Sequence, residues 1–294
     1  MRVFRANHLG MCFGVRDAIK LAQSQAALQP ITILGELVHN EDVLADLKQR
    51  GVRVARTPDS VETSVAMITA HGASDALKTE TKHLGLSLVD ATCPLVKSAH
   101  KTLVGLVNRG FHPVVVGQRD HVEVRGLTGD LDEFDVVLTA EETRLIPSRP
   151  RFGVVAQTTQ PIARVRGLVD VLRITHPQAE VEFIDTVCQP TKLRQKAAED
   201  LAADCDVVVV VGGANSNNTR ELVRTSALKG ARVHHVQHAE DLEVSWFEGA
   251  ANVGLTAGTS TPDNVIDAVE AKLMMWSQNA SIPVSHHAAM VTFS

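Results

Sequence analysis

Two stretches of this sequence, DATC at residues 90–93 and DTVC at residues 185–188, predict the same local structure. Each follows a short run rich in apolar residues, at 86–89 and at 181–184, that is typical of a strand. A proline follows each cysteine within two residues, and a segment with helical spacing comes next. Because proline is tolerated in the first turn of a helix, we expect Cys93 and Cys188 to lie where a strand leads into a helix N-terminus.

A third corner of this kind lies near the beginning of the chain. Residues 3–7 can form a short strand, and the segment GMCFG at residues 10–14 precedes a predicted helix. The chain is thus organised around Cys12, Cys93 and Cys188. These cysteines are 81 and 95 residues apart, so no local ligand motif joins them.

Length and composition exclude several classes of protein. The 294 residues, 44% of them hydrophobic, suggest a globular chain of two or three domains. The net charge of −5 predicts no broad basic face for nucleic acid. The longest aliphatic run, residues 207–211, is too short to cross a membrane, and residues 1–12 lack the apolar core of a signal peptide. Four cysteines do not make a secreted disulfide framework, so we expect a reducing, cytoplasmic setting.

Apolar strands alternate with helices along the whole chain, which predicts an α/β fold with parallel sheets covered on both faces. The pattern recurs three times, but the last third lacks its own final strand and cysteine. The N-terminal strand with Cys12 can supply them. We therefore predict three similar parallel-sheet units in a pseudo-threefold ring, at residues 13–92, 93–187 and 188–294, the last completed by 1–12.

Ligands of such folds bind beyond the carboxyl ends of the strands. Polar residues and the three cysteines collect at these predicted ends. The polar residues are His71, His121, Glu123, Thr158, Thr159, Ser216, Asn218 and Ser260.

The three cysteines can be thiolates, because a helix dipole lowers the pKa of a thiol at the helix N-terminus. Three thiolates with an open fourth position could hold zinc or an iron–sulfur cluster. The alternative is that they are buried structural cysteines, a common location for a free Cys. Cys205 precedes the predicted strand at residues 206–211 and is interpreted as structural.

Two polar segments, residues 216–219 and 259–261, lie at predicted helix starts, where they could bind an anion such as phosphate or simply cap the helix. His121 and Glu123 would point the same way in extended chain and could deliver a proton. Spacing alone favours an exposed loop histidine beside a solvated glutamate. The spacing G-x-G-x-x-G is absent after Gly212, so no NAD site is predicted.

Nine segments, taken in chain order, resemble the 4-hydroxy-3-methylbut-2-enyl diphosphate reductase family, the last enzymes of the methylerythritol phosphate route to isoprenoids. They span roughly residues 1–275. They are GMCFGV (10–15), LVHN (37–40), AHG (70–72), DATCPLV (90–96), HVEV (121–124), QTT (157–159), Cys188 with Thr191 and RQ (194–195), SNN (216–218) and TAGTS (256–260).

The resemblance implies a three-lobed α/β fold around a central [4Fe–4S] cluster. Cys12, Cys93 and Cys188 would bind three irons, and the fourth iron would take the hydroxyl oxygen of a small allylic diphosphate as a Lewis acid. Two electrons would enter singly from a ferredoxin or flavodoxin. The C–O bond would break, water would leave, and protonation of an allylic intermediate would give isopentenyl or dimethylallyl diphosphate.

The resemblance also implies roles for individual side chains. Glu123 would be the proton source, with Thr158 and His121 in its hydrogen-bond network. Asn217 stands where a serine is common in the family. The residues implied to bind the diphosphate are His39, His71, His121, Ser216, Asn217, Asn218 and Ser260.

Two other functions remain open at this point. A non-catalytic iron–sulfur redox sensor, or a specialised paralogue, could use the same scaffold; a sensor would not need Glu123 beside a phosphate pocket. A hydrolase could hold a three-thiolate zinc site and act on a phosphorylated substrate.

Overall fold

A computed structural model describes residues 1–278 of the chain. Within them, twelve strands form three sheets of four, and every pair of neighbouring strands is parallel. The chain starts with β1 (Arg2–Arg5) and α1 (Phe13–Leu28), so Cys12 lies between its first strand and its first helix.

The first sheet has the strand order β3-β2-β4-β5. Its two inner strands are buried along their whole length, as expected for strands covered on both faces. The elements of this part of the chain are β2 (Ile31–Leu34), α2 (Glu41–Gln49), β3 (Arg53–Ala55), β4 (Val65–Ile68), α3 (Asp75–His83) and β5 (Ser87–Asp90).

The second sheet repeats this arrangement in the order β7-β6-β8-β9. It begins after Cys93 and ends shortly before Cys188. Its elements are α4 (Pro94–Asn108), β6 (His112–Val116), α5 (Val122–Thr128), β7 (Asp135–Val137), α6 (Ala140–Arg144), β8 (Arg151–Ala156), α7 (Ile162–Thr175) and β9 (Glu180–Phe183).

The third sheet has the order β11-β10-β12-β1, so the N-terminal strand takes the fourth place that β5 and β9 occupy in the other sheets. Arg2 of β1 lies opposite Asn252 of β12. The elements that follow Cys188 are α8 (Gln189–Asp204), β10 (Val207–Val211), α9 (Asn217–Leu228), β11 (Arg232–Val236), β12 (Asn252–Ala257) and α10 (Asp263–Gln278).

The three sheets confirm the predicted α/β fold of three similar units. Each has the same strand order and the same parallel sense, and β1 completes the third sheet as expected. The unit boundaries at 13–92, 93–187 and 188–294 with 1–12 stay a prediction, and residues 279–294 lie outside the described part.

The core of the third sheet shows why this chain needs helices on both faces. All five residues of β10 are valine and all are buried. Because side chains alternate along a strand, Val209 packs on the same side as Ile266 of α10, and Val208 packs on the opposite side with Ala198 of α8. Burial of apolar area on both faces stabilises the sheet at about 25 cal/mol per Å².

Two strands and two helices were not predicted from the sequence: β3, β11, α5 and α6. The strands β3 and β11 lie at sheet edges, where one side of the ladder is unpaired and several side chains face solvent. Such strands carry no continuous apolar run. The short helix α6 is likewise mostly exposed. In the described residues, no helix has the length and apolar character needed to span a membrane.

Candidate functional site

Each of the three units contributes residues to one candidate site, and these residues follow equivalent strands. In the sheet orders given above, the strand in the second place (β2, β6 or β10) leads to a loop carrying His39, His121 or Ser216. The third leads to a loop carrying His71, Thr158 or Ser260, and the fourth leads to a cysteine. The carboxyl ends of parallel strands lie at the same edge of a sheet, which places these residues together.

Each cysteine is the N-cap of a helix, as predicted: Cys12 of α1, Cys93 of α4 and Cys188 of α8. The backbone N–H of each cysteine donates to a carbonyl in the loop after the third strand of its own sheet. The three acceptors and distances are Thr259 for Cys12 at 3.1 Å, Ala70 for Cys93 at 3.0 Å and Thr158 for Cys188 at 3.0 Å. These bonds hold the cysteines beside the polar loops.

The cysteine corners of different units approach one another closely. A Cβ added to Gly14, in the first turn of α1, would lie 2.5 Å from Sγ of Cys93. Only glycine fits this contact. Burial raises the pKa of Cys93 and raises that of Cys188 to about 11, and in both cases the charges of Cys12 and Glu123 add to the increase. The three thiols and the carboxyl group of Glu123 therefore lie near one another.

The three thiols fit a soft metal group. None of the chain's four cysteines is in a disulfide, and the three at the corners are partly buried at helix N-termini, where thiolates are stabilised. Binding of a metal would displace their protons despite the raised pKa values.

Three histidines from two units form a compact cluster. The rings of His39, His71 and His121 lie with centroids 4.9 to 5.5 Å apart, and one nitrogen of each lies within 4.8 Å of the others. Burial lowers the pKa of His71 well below its ordinary value and lowers that of His121 to about 4. Both rings are thus neutral at pH 7 and can donate or accept hydrogen bonds.

His121 and Glu123 do not lie in extended chain, so that expectation is wrong. His121 is the N-cap of α5, and its Nδ1 accepts from the N–H of Glu123 at 3.1 Å. The interpretation as an exposed pair is wrong as well, because Glu123 is only 1% exposed. The helix α5 packs closely against the first unit, since a Cβ added to Gly126 would lie 3.3 Å from Cα of Ala73.

Glu123 is held as a carboxyl group with an unusual affinity for protons. Its Oε1 accepts a 2.6 Å hydrogen bond from the backbone N–H of Thr158. Burial raises its pKa to about 7, although hydrogen bonds from Thr158 act in the opposite direction. A carboxyl group of this kind is half protonated at neutral pH and can act as a general acid.

The loops of the third unit bring further polar groups. Ser216 caps α9, since its side chain accepts from the N–H of Thr219 at 3.3 Å. Oδ1 of Asn218 accepts from the N–H of Thr259 at 3.0 Å, and Oγ of Ser260 donates to the carbonyl of His39 at 3.1 Å. The first and third units therefore meet at this loop.

Two buried nitrogens in this region have no partner among the described residues, Nε2 of His39 and Nδ2 of Asn218. Since buried polar atoms are nearly always hydrogen-bonded, they indicate a polar ligand. Backbone N–H groups in the first turn of α9 add to such an anion site. The side-chain Nδ2 of Asn217 instead donates to Oγ1 of Thr159 at 3.0 Å.

Two arginines at this site, Arg125 and Arg220, were not predicted from the sequence. A cavity of about 370 Å³ is lined by His39 and His121 and also by Arg125 and Arg220. Each arginine follows a predicted site residue by four positions, Arg125 after His121 and Arg220 after Ser216, and so lies one helical turn along. That spacing is the signal from which they could have been found.

Cys205 lies apart from these groups, at the C-terminal end of α8, and is buried in an apolar cluster with Leu201 and Val208. This agrees with its interpretation as a structural residue.

The chain is similar to known proteins over most of its length. Residues 3–274 match the family model described as LytB protein. The 4-hydroxy-3-methylbut-2-enyl diphosphate reductase of Pelobacter propionicus is 38% identical over 93% of this chain and 98% of its own length. The protein of the same name from Acinetobacter baylyi is 35% identical over 100% of this chain and 96% of its own.

Two solved structures share the fold. The E-1-hydroxy-2-methyl-but-2-enyl-4-diphosphate reductase from Plasmodium falciparum superposes with a TM-score of 0.88 at 25% identity, covering 92% of this chain and 87% of its own. A structure described as (E)-4-hydroxy-3-methyl-but-2-enyl diphosphate reductase, the terminal enzyme of the non-mevalonate pathway, gives a TM-score of 0.65 at 33% identity, covering 94% of this chain and 100% of its own.

Proposed function

The chain belongs to the LytB protein family, whose matched members are named 4-hydroxy-3-methylbut-2-enyl diphosphate reductases, and on this premise we propose that it catalyses the same reductive dehydroxylation. As a member of this family it is an oxidoreductase of the methylerythritol phosphate pathway. The reaction consumes two electrons and two protons. One proton leaves with the hydroxyl group as water, and the other is added to carbon to give isopentenyl or dimethylallyl diphosphate.

The observation that carries this proposal is the meeting of three helix-capping cysteines with one buried carboxyl group and a polar pocket. Cys12, Cys93 and Cys188 would hold a [4Fe–4S] cluster by three of its irons. When bound, such a cluster supplies the two electrons one at a time, and its fourth iron supplies a Lewis acid for the hydroxyl oxygen.

The spacing of the thiols favours a cluster over a single zinc ion. Tetrahedral zinc with Zn–S bonds near 2.3 Å requires sulfur atoms about 3.8 Å apart. In the described chain, the one group of three His, Cys, Asp or Glu ligands whose atoms all lie within 4.8 Å is the histidine cluster; the three thiols do not form such a group. A cluster of several irons binds sulfur atoms that lie farther apart than those around one zinc ion. The spacing of the three thiols therefore favours a cluster over the zinc site of a hydrolase.

Glu123 would deliver the proton that reaches carbon. Its pKa near 7 keeps a usable fraction protonated at neutral pH, and its burial keeps water from competing for that proton. Thr158 would orient the carboxyl group through the bond from its N–H, and His121 would support the same turn from its N-cap position. A redox sensor would have no need for such a carboxyl group.

The diphosphate would occupy the polar loops of all three units. Nδ2 of Asn218 would donate to it, and Nε2 of His39 would do so when both nitrogens of that ring carry hydrogen, since Nδ1 lies 3.1 Å from Oε2 of Glu36. The other groups that would bind it are His71, His121, Ser216, Ser260 and the backbone N–H of Asn217. Arg125 and Arg220 at the cavity would attract it despite the net negative charge of the chain. A one-electron donor such as ferredoxin or flavodoxin, in a reducing cytoplasm, would supply the electrons.

Anaerobically purified protein tests the proposal directly. Iron and sulfide content are measured, and the visible spectrum is recorded with a strong reductant before and after addition of 4-hydroxy-3-methylbut-2-enyl diphosphate. We expect a brown protein with close to four irons per chain that consumes the diphosphate. A brown protein that leaves it intact would indicate the sensor, and a colourless zinc protein would overturn the cluster.

A further inference from the structure

The three cysteine helices carry a sequence repeat that the structure makes visible. Each cysteine is followed by a basic residue at the fourth and eighth positions, in CFGVRDAIK, CPLVKSAHK and CQPTKLRQK. In each case the backbone N–H of the fourth residue donates to the cysteine carbonyl. The repeated positions are therefore structurally equivalent in the three units.

One position breaks this equivalence. The sixth residue after the cysteine is a buried alanine in two of the helices, Ala18 at 2% exposure and Ala99 at 1%. The third helix carries Arg194 there, and it too is buried, at 8% exposure. Since alanine satisfies the same helix position twice, the fold by itself does not require an arginine.

The side chain of Arg194 donates its hydrogen bonds to backbone carbonyls. Its Nε and Nη2 donate to the carbonyl of Gly10 at 2.9 and 2.7 Å, and its Nη1 donates to that of Pro190 at 3.0 Å. Gly10 has φ +70°, a backbone conformation that favours glycine, and lies two residues before Cys12. Arg194 thus ties the Cys12 corner to the first turn of the helix that begins after Cys188.

The charge of Arg194 has no carboxylate partner in the described residues, and residues 279–294 contain no Asp or Glu. The basic residues at the fourth positions differ in this respect. Arg16 pairs with Asp263 at 3.0 Å, Lys97 with Asp90 at 3.3 Å and Lys192 with Asp185 at 2.8 Å. Burying an unpaired charge is costly, so a counter-charge is expected nearby.

As thiolates that bind a metal group, the cysteines would be the counter-charge. Burial lowers the pKa of Arg194, the charges of Cys12 and Cys188 raise it, and the charge of Arg16 lowers it, so two of the three thiols lie within electrostatic reach. Arginine stays protonated under these conditions.

We propose that Arg194 is the fixed positive charge of the three-cysteine centre, which stabilises its reduced state and holds the Cys12 corner in place. The inference rests on the proposed function, because it requires a group that gains electrons. Each one-electron step adds one negative charge to that group, with the electron supplied by the reductant. A fixed cation nearby favours the more negative form and therefore raises the reduction potential.

The test compares reduction potentials of anaerobically purified holoprotein, titrated with dithionite and mediators and followed by visible and EPR spectra. Arg194→Gln keeps a donor near Gly10 but removes the charge, whereas Arg194→Lys keeps the charge. We expect Arg194→Gln to shift the equilibrium constant for one-electron reduction about tenfold toward the oxidised form, or about 59 mV more negative. Arg194→Lys should stay close to the wild-type potential.

Lys97→Gln is the matched control. Lys97 is also a cation beside one of the cysteines, but it is exposed and paired with Asp90, so its removal should change the potential much less. Equal potentials for wild type and Arg194→Gln would overturn the proposal, as would equal shifts in the Gln and Lys variants, which would assign the effect to hydrogen bonding.

If a variant loses its iron–sulfur group, no potential can be measured, and the iron and sulfide content per chain becomes the readout. Loss in Arg194→Gln with retention in Arg194→Lys supports the charge, and loss in both overturns it. Failure of the proposed function looks different, since wild-type protein would then either lack iron and sulfide or leave the diphosphate intact.

Discussion

The backbone N–H of Thr158 donates a 2.6 Å hydrogen bond to Oε1 of Glu123, while the carbonyl of the same Thr158 accepts one from the N–H of Cys188 at 3.0 Å. One peptide segment thus fixes both the buried carboxyl group and a cysteine corner. Because neither bond depends on the Thr158 side chain, the distance between acid and cysteine is set by the backbone. This relationship is the basis for the first two predictions.

Replacement of Glu123 by glutamine should remove most turnover while leaving iron content and substrate binding intact. The glutamine side chain can occupy the same space but cannot supply a proton, and general acids contribute about 10²- to 10⁴-fold to rate. Single-turnover rates, iron content and the substrate-induced change in the visible spectrum should be measured on the same preparation. Glu182→Gln, on the surface of the second unit, is the control. A Glu123→Gln rate close to wild type would exclude Glu123 as the proton source.

The stability of the metal-free protein should depend on pH through Glu123. Burial raises its pKa from 4.5 to about 7, so the native state holds the proton more tightly than the unfolded state. The stabilisation is complete below pH 4.5 and is lost as pH rises to about 7. Glu123→Gln should therefore gain about 2 to 3 kcal/mol relative to wild type between pH 5 and pH 8 in urea unfolding.

His121 works in the opposite direction in this pH range, because its pKa is lowered to about 4. Its proton is bound more tightly in the unfolded state, so this residue adds stability as pH rises from about 4 to 6.5. It is present in both proteins and cancels in the difference. A wild-type minus variant difference that does not change with pH would contradict the buried state of Glu123.

The ion pair between Arg164 of α7 and Glu221 of α9 should stabilise the contact between the second and third units. Both guanidinium nitrogens reach the carboxylate, at 2.8 and 2.9 Å, and the Glu221 side chain is only 5% exposed. Glu221→Gln leaves Arg164 without its counter-charge and should cost about 3 kcal/mol in urea unfolding. Glu182→Gln breaks the solvent-exposed pair with Arg109 and should cost much less, because water screens that pair. Similar losses in both variants would refute this ranking.

Asn218→Asp should weaken binding of the diphosphate substrate, and it should also lower stability because Asn218 is buried. The new carboxylate can still accept from the N–H of Thr259, as Oδ1 does now at 3.0 Å, but replaces a buried donor with a negative charge. KM should rise at least about tenfold, which corresponds to about 1.4 kcal/mol. Asn252→Asp adds the same charge at the opposite end of β12 and should leave KM unchanged. A normal KM for Asn218→Asp would place the diphosphate elsewhere.

Cys205→Ser should retain the full iron content, whereas Cys93→Ser should lose it. Burial raises the pKa of Cys205 to about 11, so its thiol is neutral, and it lies in an apolar cluster at the far end of α8. The hydroxyl group of serine in that cluster should cost about 1 to 3 kcal/mol of stability. Iron analysis and thermal unfolding of the two variants separate these roles. Loss of iron from Cys205→Ser would mean that the choice of ligands is wrong.

The local sequence determined the three cysteine corners and the alternation of strands and helices. A short strand followed by Asp, two small residues and Cys predicted the turn into a helix at Cys93 and Cys188, and the structure confirms both of these corners and the one at Cys12. The missing fourth strand of the last unit also predicted that β1 would complete that sheet. Edge strands such as β11 escaped because their exposed side chains carry no apolar pattern.

Only the tertiary structure decided which loops meet and what their side chains then become. His39 and His121 are 82 residues apart in sequence, and their rings meet because the loops of two units pack together. Burial by distant elements raises the pKa of Glu123. Burial by distant elements also removes the charge of Arg194 from water. Spacing in sequence encodes the direction of a side chain along its own helix or strand; desolvation depends on every element packed around it, and so belongs to the folded chain alone.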